Sequence, residues 1–134
     1  MSKNKGFTLV ELLSVVVIII TLALITIPNY NKARNRALNK EVVFNLKLIA
    51  AAERLYRIEQ TAYYPFLSGT ESGATLLNSN LKLKLNERNW SYSVDRGVTT
   101  ANVTTAKGTR GGCVYTISSS DNFTGDPLKG AGCI

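Results

Sequence analysis

The sequence predicts an α+β fold: a long N-terminal helix, with a membrane half and an amphipathic half, packed on a small antiparallel sheet. Three observations predict it. An almost unbroken apolar run extends from Phe7 to Pro28. Beyond it, Leu38, Val42, Leu46, Ile49, Ala52 and Tyr56 recur every three or four residues, the repeat of one helix face. Further on, the chain is polar and rich in Thr, Asn, Ser and Gly, with short stretches that alternate like half-buried strands. The 134 residues are enough for one ordinary domain, and the uneven spread of the 45% apolar content describes a membrane segment joined to a small soluble domain.

Phe7 to Pro28 is 22 residues. As a helix rising about 1.5 Å per residue it reaches roughly 33 Å, enough for the hydrocarbon core of a bilayer. Val15 to Ile20 is entirely β-branched. In water that favours a strand; in lipid the backbone must satisfy its own hydrogen bonds, and helix wins.

Two features separate this run from an ordinary secretory signal, whose cleavage site follows the apolar stretch. The Gly6–Phe7 junction precedes the run, and a carboxylate, Glu11, lies within it. An ionised group at membrane depth costs roughly 3 kcal/mol or more unless it is paired, which marks Glu11 as functional. If the chain is cut after Gly6, Phe7 gains a free amine. In a bundle of staggered identical helices, the Glu11 carboxylate of one subunit then meets the Phe7 amine of the next. A lone buried charge is strongly penalised, so this pair sets the axial register of assembly.

These residues carry a family resemblance. K-G-F-T-L-V-E-L-L, followed by the apolar run, resembles the class III signal of type IV pilins and type II secretion pseudopilins. Gly6, Phe7, Thr8, Leu9, Val10, Glu11 and Leu12 carry the match, and Pro28 matches a helix-interrupting proline of many members. The resemblance implies that a membrane-embedded prepilin peptidase cuts after Gly6 and methylates Phe7. It implies a leader at 1–6, a transmembrane and polymerisation helix at 7–28, and a globular pilin domain at 29–134 that includes the second half of the helix. The implied partners are identical subunits, the peptidase, the pilus or secretion assembly machinery of the inner membrane, and the membrane itself before assembly. The implied location is a single pass in the inner membrane, then a cell-surface or periplasmic filament. Lys3 and Lys5 precede the run while Lys32, Arg34 and Arg36 follow it. Counting these alone places the C-terminal side in the cytoplasm; the leader cut and the cysteine pair described below require it outside.

From Asn29 to Gln60 the helix continues. Pro28 removes one backbone hydrogen bond, so a kink is expected there. Beside the first apolar lane runs a second, through Phe44, Leu48, Ala51, Leu55 and Ile58, while Arg36, Lys40, Lys47 and Arg54 form a polar strip. One small sheet needs a single stripe, so two lanes indicate two partners: the helix's own domain and a neighbouring subunit. Glu53 and Arg57, four residues apart, read as a helix-surface pair. Thr61 to Pro65 ends the helix. Ser68 to Gly73 reads as a turn-rich loop and Ala74 to Leu77 as a short helix. Trp90 to Val94, Val98 to Ala106 and Cys113 to Ile117 read as three strands of a meander. Asp95–Arg96–Gly97 reads as a tight turn between the first two, and Thr109 to Gly112 as the second connection.

The chain has no His and two Cys. The commonest metal ligand and the usual general base are therefore missing, and two cysteines do not make a zinc site unaided. An even pair behind an export signal reads as one disulfide, Cys113–Cys133, closing a loop of about 20 residues and stabilising the fold by roughly 3 kcal/mol. Gly125–Asp126–Pro127 offers oxygens to calcium, which major pseudopilins often bind in a C-terminal loop. Asp121 and Asp126 are the only nearby acids, a thin set for a cation that takes six or more oxygens, so calcium is kept only as the minor alternative. No cofactor is expected, and no catalytic constellation is present in the sequence.

The formal charge of +7 falls by two to +5 once Lys3 and Lys5 are removed. It is compatible with nucleic acid, anionic lipid or an acidic neighbouring subunit and selects none of them. The function expected is a filament subunit rather than an enzyme: a type IV pilin, a major pseudopilin of type II secretion or, in another class, an uncleaved single-span binding module.

Overall fold

The computed structural model describes residues 6–65, 69–96, 104–119, 123, 125–130 and 132–133, in two compact units, Met1–Ala37 and Leu38–Ile134. A 52-residue helix, α1 (Leu9–Gln60), contributes to both and stays helical through Pro28. In the first unit every described side chain from Gly6 to Arg34 is exposed. The few hydroxyls on this apolar stretch turn back onto its own carbonyls. Ser14 Oγ donates to Glu11 O at 2.8 Å and Thr21 Oγ1 to Ile18 O at 2.8 Å. Thr26 Oγ1 likewise donates to Leu22 O at 2.5 Å. An internally satisfied helix is what a lipid environment demands.

The second unit is α+β. After α1 come β1 (Gly69–Ser72), α2 (Ala74–Asn80), β2 (Ser91–Arg96), β3 (Thr104–Arg110), β4 (Cys113–Ser118) and β5 (Leu128–Lys129). The strands form one antiparallel sheet in the order β1-β2-β3-β4-β5. Alternation along β2 and β4 turns Tyr92, Val94, Cys113, Tyr115 and Ile117 inward, where they join Val42, Leu46 and Ile49 of α1 in one core. Gly108 on β3 gives the helix its close approach, since a Cβ there would collide with the Val42 side chain. Polar bonds tie β2 and the segment before it to the same helix. Trp90 Nε1 donates to Leu38 O at 2.9 Å, and Asn45 Nδ2 donates to Tyr92 Oη at 2.7 Å.

Several sequence-based boundaries shift. The segment read as a loop at 68–73 contains β1, which pairs with β2 from Gly69↔Arg96 to Ser72↔Ser93. The short helix runs on to Asn80. Asp95 and Arg96 are not a turn: they stay in β2 and face Thr105 and Thr104 of β3. Of the second strand read at 98–106, residues 98–103 lie outside the described residues, and β3 continues through Arg110. The next reversal is therefore the two residues Gly111 and Gly112, both at positive φ (50° and 83°), joining the Arg110↔Cys113 pair. Glycine adopts both conformations at little cost. The sequence reading also missed β5, whose Lys129 and Leu128 pair with Tyr115 and Thr116.

Between α2 and β2, residues 81–90 form neither helix nor strand. The side-chain amide of Asn78 bonds the backbone of this segment at Leu85. Its Oδ1 accepts from Leu85 N at 2.6 Å and its Nδ2 donates to Leu85 O at 3.0 Å.

Candidate functional site

Gly6, Phe7 and Thr8 precede the first helical turn in non-helical conformation, and Phe7 is 80% exposed. The junction expected to be cut is therefore accessible backbone outside the helix. Glu11, in the first turn, is held by Thr8. The Thr8 N–H donates to Glu11 Oε2 at 2.9 Å, and Thr8 Oγ1 donates to the same oxygen at 2.7 Å. In return, Glu11 N donates to Thr8 Oγ1 at 3.3 Å. This reciprocal arrangement is a capping box, and Thr-x-x-Glu is its sequence signature. The apolar helix that follows is the one stretch among the described residues long and apolar enough to cross a membrane.

In the second unit the two lanes of α1 part company. Val42, Leu46 and Ile49 of the first lane are fully buried, with Leu38, Ala52 and Tyr56 partly so. The second lane faces outward: Phe44 is 63% exposed, Leu55 57% and Ile58 79%, with Leu48 and Ala51 exposed between them. A shallow apolar groove of about 300 Å³ lies along this lane, lined by Leu48, Ala51, Leu55, Leu81 and Leu83. The domain alone does not cover its second lane.

The polar strip has a structural role that was not anticipated. Lys47 Nζ meets Asp126 Oδ1 at 2.5 Å, and the lysine's hydrogen bond and charge hold the Asp126 carboxyl below the usual range. Arg54 donates to the carbonyl of Phe123. Both hold the C-terminal loop against α1, and the Cys113–Cys133 disulfide, with Cα atoms 4.4 Å apart, joins that loop to the start of β4. Asp126 thus has a lysine partner. Asp121 lies outside the described residues, and no cluster of three or more acidic, Cys or His ligands occurs among the described ones.

Glu53 overturns its sequence reading. It is 0% exposed and does not pair with Arg57 on the surface. Its Oε2 accepts from Tyr64 N at 2.9 Å, which fastens the chain after α1 to the helix, while Oε1 is buried with no hydrogen-bond partner. Burial pushes the carboxyl up to about 8, against the smaller opposing effects of the Tyr64 N–H and the Arg96 charge. Arg57 turns instead to Tyr63, donating to its hydroxyl at 2.9 Å with the guanidinium 4.9 Å from the ring centroid. A Glu and an Arg four residues apart give no signal of this; the full helical pattern around Ala50 and Glu53 was needed.

Comparison with known proteins bears on the N-terminal features directly. Residues 1–27 match the prokaryotic N-terminal methylation motif. The chain is 42% identical over 64 residues to the type IV major pilin protein PilA of Myxococcus xanthus, covering 48% of this chain and 29% of that protein. It is 38% identical over 82 residues to the type IV wide pilus major component PilA4 of Thermus thermophilus, covering 61% and 58%. It is 30% identical over 90 residues to the type II secretion system core protein G of Klebsiella pneumoniae, covering 67% and 61%. The chain thus spans less than two thirds of each relative's length. No solved structure matches it significantly. The methylation motif, the apolar helix that follows it, the α+β domain and the similarity to pilins and a pseudopilin together support the type IV pilin and pseudopilin family.

Proposed function

We propose that the protein is the structural subunit of a type IV pilus-like filament. A prepilin peptidase cuts between Gly6 and Phe7 and methylates the new amine, and identical subunits then leave the inner membrane and stack through α1 with the help of the membrane assembly machinery. The observation that carries this reading is the N-terminal arrangement. An exposed, non-helical Gly6–Phe7 junction sits three residues before a helix whose first 20 residues contain one ionisable side chain, Glu11. The exposed second lane of α1 supports it from the other unit, as apolar surface fitted to a neighbouring subunit.

A second reading, a major pseudopilin of a type II secretion system, is favoured by the similarity to core protein G. The two differ in where the filament ends, at the cell surface or in the periplasm. N-terminal peptide mass spectrometry on sheared surface material and on membranes of the native cells tests both. A chain beginning at N-methylated Phe7 and abundant in the sheared fraction is a pilus subunit; the same chain confined to the envelope is a pseudopilin. A chain beginning at Met1 or Ser2 in both fractions is a membrane-anchored binding module, and the filament reading then fails.

A further inference from the structure

The filament reading uses the Glu11 carboxylate and assigns no part to the hydroxyl beside it. Yet Thr8 makes three hydrogen bonds with Glu11, and they are distributed unevenly. Both donors from Thr8, the backbone N–H at 2.9 Å and Oγ1 at 2.7 Å, fall on Oε2. Oε1 accepts no hydrogen bond from any described residue. The same box satisfies the N–H groups of Thr8 and Glu11, two donors that a helix start otherwise leaves open.

We propose, building on the filament reading, that Thr8 is a positioning residue for assembly. It keeps one oxygen of Glu11 engaged within the subunit and presents the other to the amine of the next. Before assembly, the box supplies the carboxylate with two short donors at a depth where water supplies none, which lowers the cost of carrying it there. During assembly, the incoming amine takes Oε1 without displacing either bond to Oε2. The side chain meets its partner with its rotamer already fixed by the box, so less conformational freedom is lost on pairing. A glutamate without the box loses both advantages: it enters the membrane bare and reaches the neighbour as one of several rotamers.

The experiment uses the full chain in its native cells and compares Thr8→Val, which replaces the hydroxyl by a methyl of the same shape, with Thr8→Ser, which keeps the hydroxyl. Wild-type chains are checked first for the Phe7 N-terminus and for filaments; if either is missing, it is the filament reading that fails, whatever Thr8 does. With wild type assembling, Thr8→Val is expected to be cut at Gly6–Phe7 like wild type and to give about tenfold less sheared filament, the loss of a side-chain cap. Thr8→Ser is expected within about twofold of wild type, because serine caps as well as threonine. Wild-type filament yield from Thr8→Val overturns the proposal. So does a Thr8→Ser chain as poor as Thr8→Val, since the hydroxyl would then not be the active group. An uncut Thr8→Val chain overturns it too, because Thr8 would then act on cleavage. Amide hydrogen exchange of the precursor in detergent micelles reads the box itself: Glu11→Ala is expected to speed exchange at Thr8 N–H, and unchanged exchange there contradicts the geometry.

Discussion

One helix carries two opposite surface patterns in this protein. In the first unit α1 is apolar around its circumference from Leu12 to Pro28, apart from three hydroxyls, and none of its described side chains before Asn35 is covered. In the second unit the same helix is divided lengthwise, with Val42, Leu46 and Ile49 fully buried and Phe44, Leu55 and Ile58 in the open. The difference lies in what surrounds each stretch. A helix in lipid has an apolar solvent on every side and needs no preferred face, so its pattern is a plain run. A helix against a sheet has one apolar side, and any further apolar lane is surface held for something else. Uniform hydrophobicity and doubled amphipathicity are thus two answers to the question of what the helix touches.

The largest expected effect concerns the one charge on the uniform stretch. Glu11→Ala should still be cut after Gly6 yet yield few or no filaments, as judged by sheared protein per cell. Abundant normal filaments from that variant alone would sink the register mechanism. The divided stretch is tested by a matched pair. Leu46→Ala empties a fully buried site and should destabilise the fold by about 2–5 kcal/mol in denaturant titration of the detergent-solubilised chain. Leu55→Ala, on the exposed lane, should change stability by less than about 0.5 kcal/mol while lowering filament yield. Equal stability losses for both would erase the distinction between lanes.

The buried Glu53 gives a pH dependence of opposite sign to that of an ordinary paired carboxylate. Its folded value of about 8 lies above the usual 4.5, so the folded chain holds the proton more tightly than the unfolded one. Its contribution is fully present below about 4.5, declines as pH rises between about 4.5 and about 8, and levels off above that. The whole change is on the order of a few kcal/mol. Melting temperatures measured across that window should fall with rising pH in wild type and stay flatter in Glu53→Gln, whose amide keeps an acceptor for Tyr64 N–H. The smallest effect is at the exposed Lys47–Asp126 pair. Asp126→Asn should leave the melting temperature almost unchanged, because exposed ion pairs contribute little; a large loss would mean that the C-terminal loop depends on that contact more than on the disulfide.

Legibility in the sequence followed the range of the signal. The two apolar lanes of α1, the helix end at Gln60 and the strand cores of β2 and β4 were readable, since periodicity and a following proline are local marks. Edge strands were not. Gly69–Ser72 has the composition of a loop and becomes β1 because β2 offers it a ladder, and two-residue β5 exists only through its pairing with β4. The Asp95–Arg96 turn failed for the same reason: turn-forming residues inside a strand are overruled when both neighbours supply hydrogen bonds.

By itself the sequence determined the membrane-length run, the Gly6–Phe7 junction with Glu11 beyond it, the α+β class and the pairing of the two cysteines. Each of these is a matter of residue type, count or spacing along the chain, and those survive without coordinates. The tertiary structure alone decided which lane of α1 the sheet covers, that Glu53 is enclosed and bonded to Tyr64 N–H rather than paired with Arg57, and that Lys47 and Arg54 hold the C-terminal loop. Those are matters of what lies across a gap between distant segments. A carboxylate or a leucine carries no mark of whether its surroundings are water, lipid or another side chain until the fold has supplied them.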